Sequence, residues 1–143
     1  MRYFIDTNIF LYQSLREFDE LDRDVTEILD DWRNIILMSS ESLREVSMLL
    51  KSGRIAKKEW ISYDDVMASV IEHRIEIRYV DESHIKTLYK LRPAPNHSDP
   101  ADLMIIAQAI TEKIPLISSD TKFPLYTPQG LSFIFNNRRI KRR

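Results

Sequence analysis

The chain has no cysteine among its 143 residues. That excludes a disulfide framework, a thiolate zinc site and a cysteine nucleophile, and it is compatible with a reducing compartment. Glycine is nearly as scarce, with only Gly53 and Gly130. No glycine-rich turn therefore follows the first apolar run, which excludes a Rossmann-type dinucleotide site. Histidine occurs three times, at His73, His84 and His97, scattered along the chain. Long hydrophobic runs are missing too. The opening Met1-Arg2-Tyr3-Phe4-Ile5-Asp6 meets a carboxylate after three apolar residues, too short for a signal-peptide core, and no later run approaches membrane-spanning length. The expectation is a cytoplasmic protein with no membrane contact.

What is present suits one soluble globular domain: 43% hydrophobic and 30% charged residues, in a length that can bury a core unaided. The net charge of −1 is unevenly distributed. Residues 138–143 hold five cations: Arg138, Arg139, Lys141, Arg142 and Arg143. Without them, sixteen cations face twenty-two acids. The expected division is a domain over residues 1–137 and a basic tail over 138–143. The tail can hold RNA phosphates, or it can be a solvated terminus.

Short apolar runs alternate with stretches of helical period. Tyr3-Phe4-Ile5, Ile35-Ile36-Leu37-Met38, residues 75–80 and Leu116-Ile117 read as buried strands, and Phe133-Ile134-Phe135 as a final strand before the basic tail. Residues 19–32 read as a helix with Leu21, Val25, Ile28, Leu29 and Trp32 on one face. Leu43, Val46, Leu49 and Leu50 mark a second apolar face, and Gly53 is placed to end that helix. Residues 59–73 and 81–91 are further helix candidates, with Trp32 and Trp60 read as core or interface. Residues 101–110 are apolar nearly all round, as in a helix buried between neighbours. This alternation predicts an α/β fold, a three-layer α/β/α sandwich around a mainly parallel sheet.

Carboxylates stand at corresponding places in this pattern. Asp6 follows the first strand directly, Asp120 follows the run at Leu116-Ile117 after two serines, and Glu45 lies about two turns into the helix after Met38. Ligand sites in open parallel sheets form outside the carboxyl ends of the strands, so adjacent strands would bring these acids to one rim. Asp102 sits in the first turn of the buried helix, over Ile105 and Ile106, and Asp99 is close enough to share that end.

Each acid also has a simpler reading. Asp6-Thr7-Asn8 can cap a helix, Ser42-Leu43-Arg44-Glu45 matches a capping box, and Asp99-Pro100 is a cap followed by a first helical residue. Asp102 suits the helix dipole, and Asp120 suits a turn. Together the acids are harder to explain as caps, because like charges about 4 Å apart repel by roughly 4 kcal/mol at an effective dielectric near 20. A divalent cation reverses that cost. Oxygen ligands without cysteine or clustered histidine suit Mg²⁺ or Mn²⁺, and such a site suits phosphoryl transfer.

Four segments resemble the PIN-domain family, and within it the VapC-like toxins of type II toxin–antitoxin systems. They are Phe4-Ile5-Asp6-Thr7-Asn8-Ile9-Phe10-Leu11, residues 39–45, His97-Ser98-Asp99-Pro100-Ala101-Asp102 with Ile105-Ile106-Ala107-Gln108-Ala109, and Leu116-Ile117-Ser118-Ser119-Asp120-Thr121-Lys122-Phe123. The third is the most specific. The resemblance implies a Mg²⁺- or Mn²⁺-dependent endoribonuclease that leaves a 5′-phosphate and a 3′-hydroxyl. By position, Asp6, Glu45, Asp102 and Asp120 are the implied catalytic and metal-site acids, with Thr7, Asn8, Ser118 and Asp99 in support. Glu41 rivals Glu45 for the second acid, and Glu45 is preferred because Val46 follows it inside the helix. The resemblance further implies an RNA substrate, a cognate antitoxin and a homodimer.

Two other classes compete. One is a catalytically silent PIN-like module that only binds RNA or protein, and intact acids at all four positions argue against it. The other is an aspartyl-phosphate phosphatase, which needs an acid two residues after its nucleophile, where this chain has Asn8. A housekeeping RNA-processing nuclease would share the same chemistry. His97 reads as a surface histidine, and the Lys51, Arg54, Lys57, Lys58 cluster as a solvated charge run.

Overall fold

The computed structural model describes residues 1–55 and 58–138. Among these, five strands form one sheet: β1 (Arg2–Ile5), β2 (Ile35–Ser39), β3 (Ile75–Arg78), β4 (Leu116–Ser118) and β5 (Phe133–Phe135). Their order is β3-β2-β1-β4-β5, and every neighbouring pair is parallel. Between them run α1 (Thr7–Ser14), α2 (Arg23–Asp30), α3 (Ser40–Lys51), α4 (Tyr63–Glu72), α5 (Glu82–Lys90) and α6 (Pro100–Glu112). A 3₁₀ turn, Phe123–Gln129, joins β4 to β5.

Alternation along the strands divides the core in two. Ile5, Ile36, Met38 and Ile117 face one layer with Phe10, Val25, Val46 and Val66 from α1 to α4. Phe4, Leu37 and Leu116 face the other, with Ile105, Ile106 and Ala109 of α6 and Phe123 and Tyr126 of the 3₁₀ turn. This is the expected α/β/α sandwich. The chain runs outward from β1 through β2 to β3, then returns to the opposite side as β4 and β5. The order therefore reverses between β1 and β4, which opens a crevice at the carboxyl ends of those two strands.

Two sequence expectations change in detail and a third holds. The helix anticipated over residues 19–32 is confined to α2. Asp22 caps its start by accepting from the Val25 amide at 2.7 Å, while at its end Asp31 turns back to the Arg33 amide and guanidinium. Trp32 therefore leaves the helical face and is 78% exposed, whereas Leu21 and Val25 are buried. The helix anticipated over 59–73 starts only at Tyr63, because the Asp65 carboxylate accepts from the Ile61 and Ser62 amides and fixes the first turn. Trp60 lies in the preceding loop, buried against Phe10. Gly53 does end α3: at φ +77° its amide donates to the Leu50 carbonyl, and that of Arg54 to Leu49.

His84 is buried, and its Nε2 lies 2.9 Å from Glu112, tying α5 to α6. No helix among the described residues is long and apolar enough to cross a membrane.

Candidate active site

The crevice between β1 and β4 is where the acids meet. A cleft of about 180 Å³ is lined by Asp6, Thr7, Asn8, Glu45, Leu49, Asp99, Asp102 and Asp120. The structure thus brings together all four acids expected from the sequence, with Thr7, Asn8 and Asp99 beside them. Glu41, the rival second acid, is absent from the lining and pairs with Arg44 at 2.8 Å.

Backbone geometry explains how each carboxylate reaches the cleft. Asp6 is the first residue after β1 and also the N-cap of α1, its Oδ1 accepting from the Ile9 amide at 3.0 Å. Its Oδ2 accepts from the hydroxyl of Ser118, the last residue of β4, at 2.5 Å. The Ser118 Oγ in turn accepts from the Asp120 amide at 2.9 Å. One buried hydroxyl therefore joins the ends of the two strands and the two acids they carry. Asp120 is also a turn residue, its Oδ1 accepting from the Lys122 amide.

Asp99 caps α6, accepting from the Ala101 and Asp102 amides, with Pro100 in the first helical position. That cap sets Asp102 in the first turn, aimed at the cleft. For Glu45 the capping-box alternative does not hold. Ser39, not Ser42, caps α3, so Ser42 and Glu45 lie inside the helix and Glu45 is free to face the cleft. Ser42 is buried and accepts from the Thr7 hydroxyl at 3.0 Å, which pins α3 against α1 one turn before Glu45.

The electrostatics are those of crowded acids. Burial pushes the Asp6 pKa up to about 7, despite the hydrogen bonds from Ser118 and Ile9, and the charges of Asp102 and Asp120 add to the rise. Burial and the neighbouring Asp99 charge raise Asp102 to about 6. Five carboxylates face a small cleft, and among the described residues its lining holds no lysine, arginine or histidine. Such a donor set fits a hard divalent cation, which supplies the missing positive charge.

His97 was missed. The expected surface histidine is buried at 5% exposure, behind Asp102, between that carboxylate and the Tyr126 hydroxyl. One ligand atom each from His97, Asp102 and Asp120 lie within 4.8 Å of one another, so an imidazole does stand near the acids. The signal available in the sequence was its place in the segment that also carries Asp99 and Asp102. Nothing in the sequence pointed to Tyr126, and Ser42 reads from the sequence only as a helix cap. Within the basic tail, Arg138 pairs with Glu20 and lies 5.4 Å from the centre of the Tyr12 ring. Arg139, Lys141, Arg142 and Arg143 lie outside the described residues.

Comparison with known proteins agrees with this fold. The family model for the PIN domain matches residues 3–127. No curated protein matches the chain significantly. Among solved structures, VapBC2 from Rickettsia felis bound to a DNA fragment of its promoter is similar at a TM-score of 0.68 and 20% identity, over 96% of this chain and 100% of that one. VapBC-5 from Mycobacterium tuberculosis, a member of a family of toxin–antitoxin systems, aligns at 0.64 and 19%, over 94% and 98%. FitAB bound to a DNA fragment aligns at 0.66 and 18%, over 99% and 98%.

Proposed function

The chain belongs to the PIN domain family, and from that premise we propose that it is a metal-dependent endoribonuclease, the toxin of a toxin–antitoxin pair. The observation that carries this reading is the cleft at the β1/β4 reversal, where five carboxylates converge with no cation among them from the described residues.

Asp6, Glu45, Asp102 and Asp120 are the residues to hold Mg²⁺ or Mn²⁺. When bound, the ion neutralises charge on a phosphodiester and makes water a stronger nucleophile near neutral pH. The chain's own part is preorganisation. Ser118 and the Ile9 amide fix both oxygens of Asp6. His97 holds one oxygen of Asp102, and the Lys122 amide holds one of Asp120. Thr7 and Asn8 stand at the cleft wall as polar side chains beside the reacting phosphate. Asp6 lies at the buried floor, so a phosphate entering the cleft also excludes water from it.

Support for a cognate antitoxin comes from the neighbours of the same fold, which are VapBC and FitAB complexes. A homodimer and a cytoplasmic location belong to the same reading. The residues of the tail beyond Arg138 remain candidates for phosphate contact.

The test is calorimetric titration of Mn²⁺ into chelator-stripped protein, beside Asp6→Asn and Asp102→Asn, followed by RNA cleavage with and without metal. One saturable site, lost in both variants and accompanied by metal-dependent cleavage, supports the reading. Absence of binding at millimolar Mn²⁺, with or without RNA, would sink it and leave the acids as caps.

A further inference from the structure

Beside the acidic cleft, and continuous with it, a groove of about 690 Å³ runs between the C-terminal half of α3 and the start of α6. Glu45, Leu49 and Asp99 line both, so the acids stand at the shared end. Arg44, Lys51 and Arg54 also line the groove.

These cations differ in availability. Arg44 is paired with Glu41 at 2.8 Å. Lys51 is the last residue of α3, and Arg54 follows the glycine that ends it; both are exposed, and neither has an ion-pair partner among the described residues. A helix C-terminus favours a cation, which accounts for Lys51 alone. It accounts neither for Arg54, beyond the helix, nor for both cations lining a groove that opens into the acids.

We propose that this groove is the track for the sugar–phosphate backbone of single-stranded RNA on one side of the scissile bond, with Lys51 and Arg54 neutralising its phosphates. The proposal rests on the nuclease reading of the cleft. Its charge order fits the substrate of such a site: a polyanion needs cations along its path and a metal only where it reacts. An acidic peptide would meet the same cations but would run into five carboxylates at the shared end, with no chemistry to gain there. The strand is single because the acids sit at the bottom of a cleft of about 180 Å³, which a flexible strand can enter and a stiff duplex cannot. No aromatic side chain lines the groove. Contact there is with the backbone, without base stacking, and it is tolerant of sequence.

The experiment is fluorescence anisotropy of a labelled mixed-sequence single-stranded RNA, titrated with the full chain in chelator over a series of salt concentrations. The variants are Lys51→Gln/Arg54→Gln and, as an equal charge loss on α5, Lys86→Gln/Lys90→Gln. Each phosphate contact on a single strand contributes about 0.7 to the salt slope, so the groove variant should flatten it by about 1.4. Its affinity at low salt should fall about tenfold, while the α5 variant matches the wild type. Circular dichroism and Mn²⁺ calorimetry on the same samples report the fold and the acidic site independently. Unchanged RNA affinity and slope, with Mn²⁺ binding intact, would overturn the track and leave the nuclease reading standing. A groove variant that loses binding to oligoglutamate but not to RNA would overturn it in favour of a protein partner. Failure of the wild type to bind Mn²⁺ would remove the nuclease reading, and with it the basis of the track.

Discussion

His97 Nε2 lies 3.3 Å from Asp102 Oδ2, and His97 Nδ1 lies 2.6 Å from the Tyr126 hydroxyl. The Ala94 amide donates to that hydroxyl oxygen at 2.9 Å. The phenol proton is then free to be donated to Nδ1, which leaves the imidazole proton on Nε2, directed at Asp102. His97 is thus a positioning residue that presents one carboxylate oxygen in a fixed orientation. Hydrogen bonds of this kind behind a metal ligand are worth 10- to 100-fold in metal affinity as an order of magnitude. His97→Ala should weaken Mn²⁺ binding by about that factor, while His97→Gln, whose amide can still donate, should recover part of it. Equal loss in both variants, measured by calorimetry on folded protein, would reduce the histidine to packing.

Burial of Asp6 and Asp102, reinforced by the neighbouring acids, predicts how stability depends on pH without metal. Asp6 has an ordinary pKa of 3.8 and is raised to about 7 in the folded chain. Between those values the folded protein holds a proton that the unfolded chain has released. The contribution is therefore full below pH 3.8 and is lost as pH rises through 7. Asp102, raised to about 6, acts in the same direction. Urea midpoints in chelator should fall from pH 4.5 to pH 7.5, and saturating Mn²⁺ should remove most of that fall. Asp6→Asn should be more stable than the wild type at pH 7.5 in chelator, since the amide keeps a cap acceptor for Ile9 and carries no charge. A wild-type midpoint that rises with pH would contradict this account.

Ser118 offers a separate handle, because its hydroxyl serves two acids at once. Ser118→Ala removes a donor from Asp6 and strands the Asp120 amide. Leaving a buried polar group unsatisfied costs about 1–3 kcal/mol, and that loss should appear in urea unfolding at any pH. Metal affinity should fall as well, with Asp6 held by Ile9 alone. Ser118→Thr, which retains the hydroxyl, should restore affinity where its added methyl is tolerated. Wild-type Mn²⁺ affinity in Ser118→Ala would show that the two strand ends are held by other means.

Much of this was legible in the sequence because it followed from period and position. Apolar runs placed the strands, and Asp6, Asp120 and Asp102 belong to strand ends and a helix start whose locations follow from those runs. Parallel pairing then brings them to one rim. What the sequence did not show depends on contacts far apart in the chain. Ser42 reads as a cap until the structure shows Ser39 taking that place and Thr7, 35 residues away, reaching it. His97 reads as a surface residue until Tyr126, 29 residues on, folds over it. Trp32 fits a helical face by spacing, but Asp31 ends the helix first by bonding to Arg33. Local hydrogen-bond competition and long-range partners decide such cases, and neither has a periodic signature.

The two glutamates of α3 give the sharpest comparison of site against surface. Glu41 and Glu45 are one helical turn apart, yet Glu45 lines the cleft while Glu41 pairs with Arg44 on the helix exterior. Arg44 is 60% exposed in its side chain, and pairs of that kind contribute about 0–1 kcal/mol. Glu41→Gln should therefore leave Mn²⁺ affinity unchanged and lower stability by less than about 1 kcal/mol. Glu45→Gln removes a charge from the cleft that Asp6 and Asp102 also line, so it should weaken Mn²⁺ binding at least tenfold and leave the metal-free protein as stable as the wild type, or more so. Calorimetry and urea unfolding on the two variants separate these roles. If Glu41→Gln proved the more damaging to metal binding, the register of α3 over the cleft would have to change by a full turn in the metal-bound state, and Glu45 would lose its assignment.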